Sequence, residues 1–137
     1  MLKYLLDTNI ISNLIRPQPS PILLKHIADT PATEYAIWAI TLGELVFGAL
    51  RAPETQQKYL VPINQITKGI KVLPYDEKAA RRYAEIQADL TRSGKSIGYA
   101  DMQIAGIALA RKLIFVTHNV RHFARIPHLT IENWIDE

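Results

Sequence analysis

Three carboxylic acids, Asp7, Glu44 and Asp101, stand where short apolar runs meet helical spacing. Asp7 directly follows the apolar residues 2–6. Glu44 comes one helical turn after the run Tyr35 to Ile40, and Asp101 opens a helix rich in small residues. In open α/β sheets, ligands bind beyond the carboxyl ends of the strands, so these positions converge on one edge. Each acid also has an ordinary structural role open to it. Asp7 suits a helix N-cap, Thr41-Leu42-Gly43-Glu44 fits a capping box, and Asp101 suits the positive end of a helix dipole. Crowded together, however, the three would repel and raise one another's pKa unless a cation held them. Mg²⁺ takes oxygen ligands and keeps several waters, so two or three carboxylates suffice, and Mn²⁺ can substitute.

Other chemistries find less support. The chain has no cysteine, which removes thiol nucleophiles, thiolate metal sites and disulfides and fits a reducing cytoplasm. It carries neither a Walker pattern nor a dinucleotide fingerprint. His118 and His122 have a spacing that can bind zinc on a helix, but no Glu adjoins His118 and no third ligand is evident. Ser12, Ser93 and Ser96 lack a His–acid partnership.

The charge is unevenly spread. The formal net charge is only +3, yet no Asp or Glu falls between Asp101 and Glu132. That stretch holds Arg111, Lys112, Arg121 and Arg125 with His118, His122 and His128, a one-signed surface suited to a polyanion or simply to solvent. Arg111, Lys112, Arg121 and Arg125 are therefore candidate nucleic-acid contacts. The opening Met1-Leu2-Lys3-Tyr4-Leu5-Leu6-Asp7 turns acidic too early for a signal core. No apolar run approaches the ~20 residues of a membrane helix.

The elements that must position the acids alternate. Residues 2–6 read as a buried strand, and 9–15 as a helix stopped by Arg16-Pro17-Gln18-Pro19. Ser20 and Pro21 restart a helix as N-cap and first residue. Residues 35–40 read as a second strand. Residues 41–50 form a helix with Leu42, Leu45, Val46 and Ala49 on one face, and Pro53 opens another helix to about Ile66. Lys71 to Leu73 make a third strand. Asp76 caps a helix whose apolar face is Ala79, Ala80, Tyr83, Ile86 and Leu90, and residues 93–96 form a loop. Helix 99–111, strand 113–116, a short helix 119–124 and a last strand 129–131 complete the pattern. Apolar strands alternating with helices imply a mostly parallel sheet of about five short strands covered on both faces. With 137 residues, 48% of them hydrophobic, and no repeat or linker, a single domain over 1–137 is expected.

Taken in order, Leu5-Leu6-Asp7-Thr8-Asn9, Thr41-Leu42-Gly43-Glu44-Leu45-Val46-Phe47-Gly48, Ile97-Gly98-Tyr99-Ala100-Asp101 and Val116-Thr117-His118-Asn119 form a pattern. With Arg121-His122-Phe123, Ile126-Pro127 and Glu132-Asn133-Trp134, it resembles the PIN-domain family, specifically VapC-type toxins of bacterial toxin–antitoxin pairs. The resemblance spans essentially the whole chain. It implies a three-layer α/β sandwich and a Mg²⁺-dependent endoribonuclease acting on a structured RNA such as tRNA. It maps the catalytic, metal-holding acids to Asp7, Glu44 and Asp101, with Thr8, Asn9, Thr117 and Asn119 as supporting polar groups. Two positions depart from the pattern. Asn119 stands where many members carry a fourth acid, and His122 stands at a usually acidic position, which leaves a second metal site incomplete.

The resemblance also implies a VapB-like antitoxin partner whose C-terminal segment lies along the site and pairs a basic side chain with the acids. It further implies a homodimer, and contact with DNA only through the antitoxin. A rival reading is a mainly non-catalytic module that helps an antitoxin grip promoter DNA, and a third is a DNA nuclease.

Overall fold

The computed structural model describes residues 1–136. Five short strands, β1 (Tyr4–Leu6), β2 (Tyr35–Trp38), β3 (Lys71–Leu73), β4 (Ile114–Val116) and β5 (Ile131–Glu132), pair in the order β3-β2-β1-β4-β5. Every pairing is parallel, with Tyr4 opposite Tyr35 and Leu6 opposite Val116 across the two central junctions. The chain builds outward from β1 to β3, then returns to lay β4 on the other side of β1. The β1–β4 junction is thus the point where strand order reverses, which in such sheets opens a crevice at the carboxyl edge.

Seven α-helices cover the sheet: α1 (Thr8–Ile15), α2 (Pro21–Asp29), α3 (Ala39–Leu50), α4 (Gln56–Lys68), α5 (Glu77–Arg92), α6 (Tyr99–Arg111) and α7 (Val120–Phe123). Side-chain alternation along the strands sends neighbours to opposite layers. Leu6, Tyr35, Ile37 and Val116 pack with Ile10, Ile11, Leu23, Leu45 and Ile63 from α1 to α4. Leu5, Ala36, Trp38 and Phe115 pack with Ile86, Leu90, Ile104 and Ile107 from α5 and α6, and with Phe123 from α7. The three layers agree with the expected sandwich.

Local sequence explains most boundaries. Ser20 accepts from Leu23 N–H and Pro21 occupies the first turn, so α2 starts as expected. Asp76 accepts from Ala79 N–H and starts α5. α3 begins at Ala39, two residues earlier than the spacing predicts, and Trp38 gives it no side-chain cap. The capping box at Thr41–Glu44 therefore does not form, because both residues already lie inside the helix. Pro53 heads only a short 3-10 turn before α4. The last strand lies at Ile131–Glu132 rather than 129–131, since register with Phe115 and Val116 places its pairing there.

α5 and α6 approach so closely that Gly106 has no room for a side chain. A Cβ there would sit 2.6 Å from the Ala79 carbonyl oxygen and 3.1 Å from the Tyr83 amide nitrogen. These are backbone atoms, so a helix would have to shift. Gly106→Ala gains helix propensity but overpacks this seam, and a net loss of about 1–3 kcal/mol is expected in urea unfolding. An alanine variant as stable as wild type would mean the helices separate at no cost.

Candidate active site

The crevice at the β1–β4 junction is an open cavity of about 800 Å³ lined by Asp7, Glu44 and Asp101. β1 carries Asp7 to the edge, where its amide donates to the Val116 carbonyl at 2.9 Å and ties it to β4. The extended Asp7 then heads α1, accepting from Thr8 N–H at 2.8 Å on Oδ1. Its Oδ2 accepts from Thr117 Oγ1 at 2.9 Å and from Asn9 Nδ2 at 3.2 Å. Burial pushes the Asp7 carboxyl above its ordinary 3.8. The hydrogen bonds from Thr117 and Thr8 oppose that shift, and the charges of Asp101 and Glu44 add to it. A carboxyl whose charge is disfavoured by burial and by two like charges is one that a cation would stabilise.

The supporting residues expected from the sequence surround it. Thr117 is fully buried and also accepts from the Asn119 amide at 3.0 Å. Asn9 Oδ1 accepts from the His118 amide at 3.2 Å, so Asn9 bridges α1 to the turn after β4. Thr8 Oγ1 donates to Glu44 Oε1 at 2.7 Å and lies 2.8 Å from Thr41 Oγ1. One hydroxyl proton each satisfies both contacts if Thr41 donates to Thr8. The fully buried Thr41 thus steers Thr8, and Thr8 holds Glu44 toward the cavity. Asn119 lines the cavity.

Asp101 sits in the first turn of α6 behind the N-cap Gly98, with no side-chain capping bond. Its Oδ2 instead lies 2.7 Å from His122 Nε2. The histidine at the usually acidic position thus pairs with Asp101. His118 pairs elsewhere, with Asp136 at 3.0 Å, so the two histidines do not form a zinc pair.

Mg²⁺ or Mn²⁺ suits this donor set, because the cavity offers carboxylates and no thiolate. Among the described residues no three His, Asp or Glu side chains close on one point. The acids instead border a roomy cavity, so an ion there would be held by one or two carboxylates and would keep its remaining waters.

The basic candidates fare differently. Arg111 and Lys112 end α6, which runs back from the site to the start of β4, so they lie at the opposite end of the sheet. Ten residues of helix separate Asp101 from Arg111, about 15 Å, and Arg111 pairs with Asp76 at 3.5 Å. Arg121 and Arg125 follow β4 near the correct edge, yet neither lines the cavity; Arg125 donates to the Ser96 carbonyl at 3.1 Å. The cavity's basic side chains are Arg16 and His118; sequence reading counted His118 only within the basic stretch and did not single out Arg16. Asn9, Ser12, Asn13 and Arg16 recur at helical spacing along α1, a polar stripe that could have signalled Arg16. Asp136 and Thr41 had no comparable signal.

Comparison with known proteins supplies context for this geometry. The PIN domain model matches residues 4–129. Ribonuclease VapC2 of Haemophilus influenzae is 36% identical over 135 residues, spanning 98% of this chain and all of that protein. The tRNA(fMet)-specific endonuclease VapC of Salmonella typhimurium is 39% identical over 136 residues, covering 98% and 99% of the two chains. Among solved structures, DNA-bound VapBC from Salmonella typhimurium superposes with a TM-score of 0.89 at 36% identity, over 98% of this chain and 99% of that one. VapBC-1 from nontypeable Haemophilus influenzae gives 0.84 at 31% identity over 98% of each.

Proposed function

The chain belongs to the PIN-domain family, among the VapC ribonucleases, and from that premise we propose that it is a Mg²⁺-dependent endoribonuclease whose working acids are Asp7, Glu44 and Asp101. The observation that carries this reading is Asp7. It is a half-buried carboxylate at the β1–β4 switch point, pushed up in pKa, sharing an open cavity with Glu44 and Asp101.

Asp7 and Asp101 would hold the ion, each already oriented, Asp7 by Thr117 and Asn9 and Asp101 by His122. When bound, Mg²⁺ supplies a Lewis acid for the phosphoryl oxygen and acidifies a coordinated water. Glu44 is fixed through Oε1 by Thr8, leaving Oε2 to orient the attacking water and accept its proton. Water would add to phosphorus as the P–O bond to the leaving ribose oxygen breaks, and that oxygen would take up a proton from solvent. A structured RNA such as tRNA is the proposed substrate class, since unstacked loop bases leave the backbone accessible. The tRNA endonuclease relatives support that choice.

Relatives solved as VapBC complexes, some with DNA, support an antitoxin partner for this chain. An antitoxin segment with a basic side chain fits the acid-lined cavity, and DNA contact would come through that partner. We further propose a homodimer working in the cytoplasm. No helix among the described residues is long and apolar enough to cross a membrane.

The test is cleavage of total bacterial RNA by the purified chain. Cleavage should require Mg²⁺ or Mn²⁺, stop in EDTA and spare DNA of equal sequence. Full activity in EDTA would overturn the metal assignment. Inactivity with both metals would favour the non-catalytic promoter-binding role instead.

A further inference from the structure

We infer that Arg16 and His118 form the phosphate-binding pole of the cavity, and that in the free chain the Asp136 carboxylate occupies the anion position on His118. This assignment rests on the ribonuclease reading above. A cavity bordered by Asp7, Glu44, Asp101 and Asp136 repels a phosphodiester unless donors on its wall compensate, and a metal ion neutralises only part of that charge. Among the described residues that line it, Arg16 and His118 are the only basic side chains. Arg81, Arg82 and Arg92 are paired with acids of their own helix, and Arg111 with Asp76.

Both side chains are set in place by the parts that build the site. Arg16 caps the carboxyl end of α1, the helix headed by Asp7, and its Nε donates to the Gln18 carbonyl at 3.1 Å. That single bond leaves the guanidinium's terminal nitrogens for a ligand, and a planar guanidinium matches two phosphate oxygens. His118 follows Thr117, and its amide donates to Asn9. The residue that supports Asp7 thus also fixes the His118 backbone.

Asp136 shows what His118 binds. Its Oδ2 lies 3.0 Å from His118 Nε2 while it also accepts from Asn133 Nδ2 at 3.0 Å. Both partners are more than half exposed. An oxygen anion already sits against the imidazole, within the same cavity, through an exposed side chain. A phosphate oxygen taking its place keeps the donor satisfied and moves the Asp136 charge away from the substrate.

The experiment measures binding of fluorescein-labelled bulk bacterial tRNA in EDTA by anisotropy across a salt series. Arg16→Ala and His118→Ala should each weaken binding about tenfold, the value of one charge-assisted hydrogen bond. Arg16→Ala should also flatten the salt slope by about one, and Arg16→Lys should keep it. Asp136→Asn should tighten binding a few-fold, whereas Arg81→Ala, which lies outside the cavity, should change nothing. Melting temperatures equal to wild type confirm that the variants are folded, and His118→Gln provides a second test at that position. If Arg16→Ala and His118→Ala bind tRNA like wild type, the pole is misassigned and the ribonuclease reading stands. If Asp136→Asn weakens binding, Asp136 is a support and not a competitor, and that half of the inference fails. If the wild-type chain neither binds tRNA at low salt nor cleaves RNA with Mg²⁺, the ribonuclease reading itself fails and takes the inference with it.

Discussion

Asp7→Asn should lower RNA hydrolysis on the order of a hundredfold or more while leaving the metal-free melting temperature close to wild type. Losing a negative charge that faces a dication raises the barrier by a few kcal/mol, which sets that scale. The fold should tolerate the change because two structural effects oppose each other. The amide no longer carries a partly buried charge beside Asp101 and Glu44, which is a gain. It also matches the Thr117 and Asn9 donors less well, which is a loss. As an N-cap, Asn is about as good as Asp. Mg²⁺ should raise the wild-type melting temperature by mass action and leave the variant's unchanged. The pH dependence follows from the direction of the Asp7 shift. A raised pKa means that the folded chain takes up this proton more readily than the unfolded one. Ionised Asp7 therefore costs stability above its unfolded value of 3.8, a cost relieved as pH falls through the higher folded value. Protons and metal compete for the same oxygens. Metal-induced stabilisation and cleavage should thus both fade, on acidification, at a pH above that of an ordinary aspartate. Asp101→Asn should lose activity similarly, because it also gives up the charge facing His122. Wild-type cleavage rates in both asparagine variants would refute the assigned site.

How much of this was legible beforehand depends on whether the signal was local. Asp7 and Glu44 could be placed from sequence because each follows a change of hydrophobic period, and strand ends share one edge in a parallel sheet, whereas Asp101 was reached as the acid that opens a small-residue helix. The caps Ser20 and Asp76 were legible for the same reason, since an N-cap acts within its own first turn. What escaped depended on chain direction and on long-range contacts. Arg111 and Lys112 belong to a basic stretch, but charge counts do not show that α6 returns to the amino end of the sheet before reaching them. The Thr41 pattern fitted a capping box. Tertiary packing started α3 two residues earlier and turned the hydroxyl to Thr8, 33 positions away in sequence. His122 was read as part of the basic stretch, and only folding brings it to Asp101.

The segment after β5 brings Asp136 to the cavity, and Trp134 holds that segment down. Trp134→Ala should cost about 3–5 kcal/mol, a large share of the ~5–15 kcal/mol that stabilises a typical domain. The indole is 1% exposed. It stacks on the His26 ring at 4.9 Å and 3°, and meets Tyr4 edge-on at 4.9 Å. Its Nε1 donates to Glu132 Oε1 at 2.9 Å, so the polar end is satisfied as well. Removing the ring opens a cavity between α2 and β1 that the backbone cannot readily fill. The next residue is held by one strong contact, Ser20 Oγ donating to the Ile135 carbonyl at 2.6 Å. That contact alone cannot replace a buried indole. Ile135 and Asp136 both line the cavity, so loosening them exposes one wall of the site. Trp134→Ala should therefore melt roughly 10 °C or more below wild type and be clipped faster near its C-terminus by a nonspecific protease. Trp134→Phe, which keeps an aromatic ring between His26 and Tyr4 and loses the N–H donor, should cost clearly less. At temperatures where Trp134→Ala remains folded, cleavage should persist, because Asp7, Glu44 and Asp101 are anchored by β1, α3 and α6. An alanine variant that melts with wild type would show that the C-terminal segment is not docked through this ring.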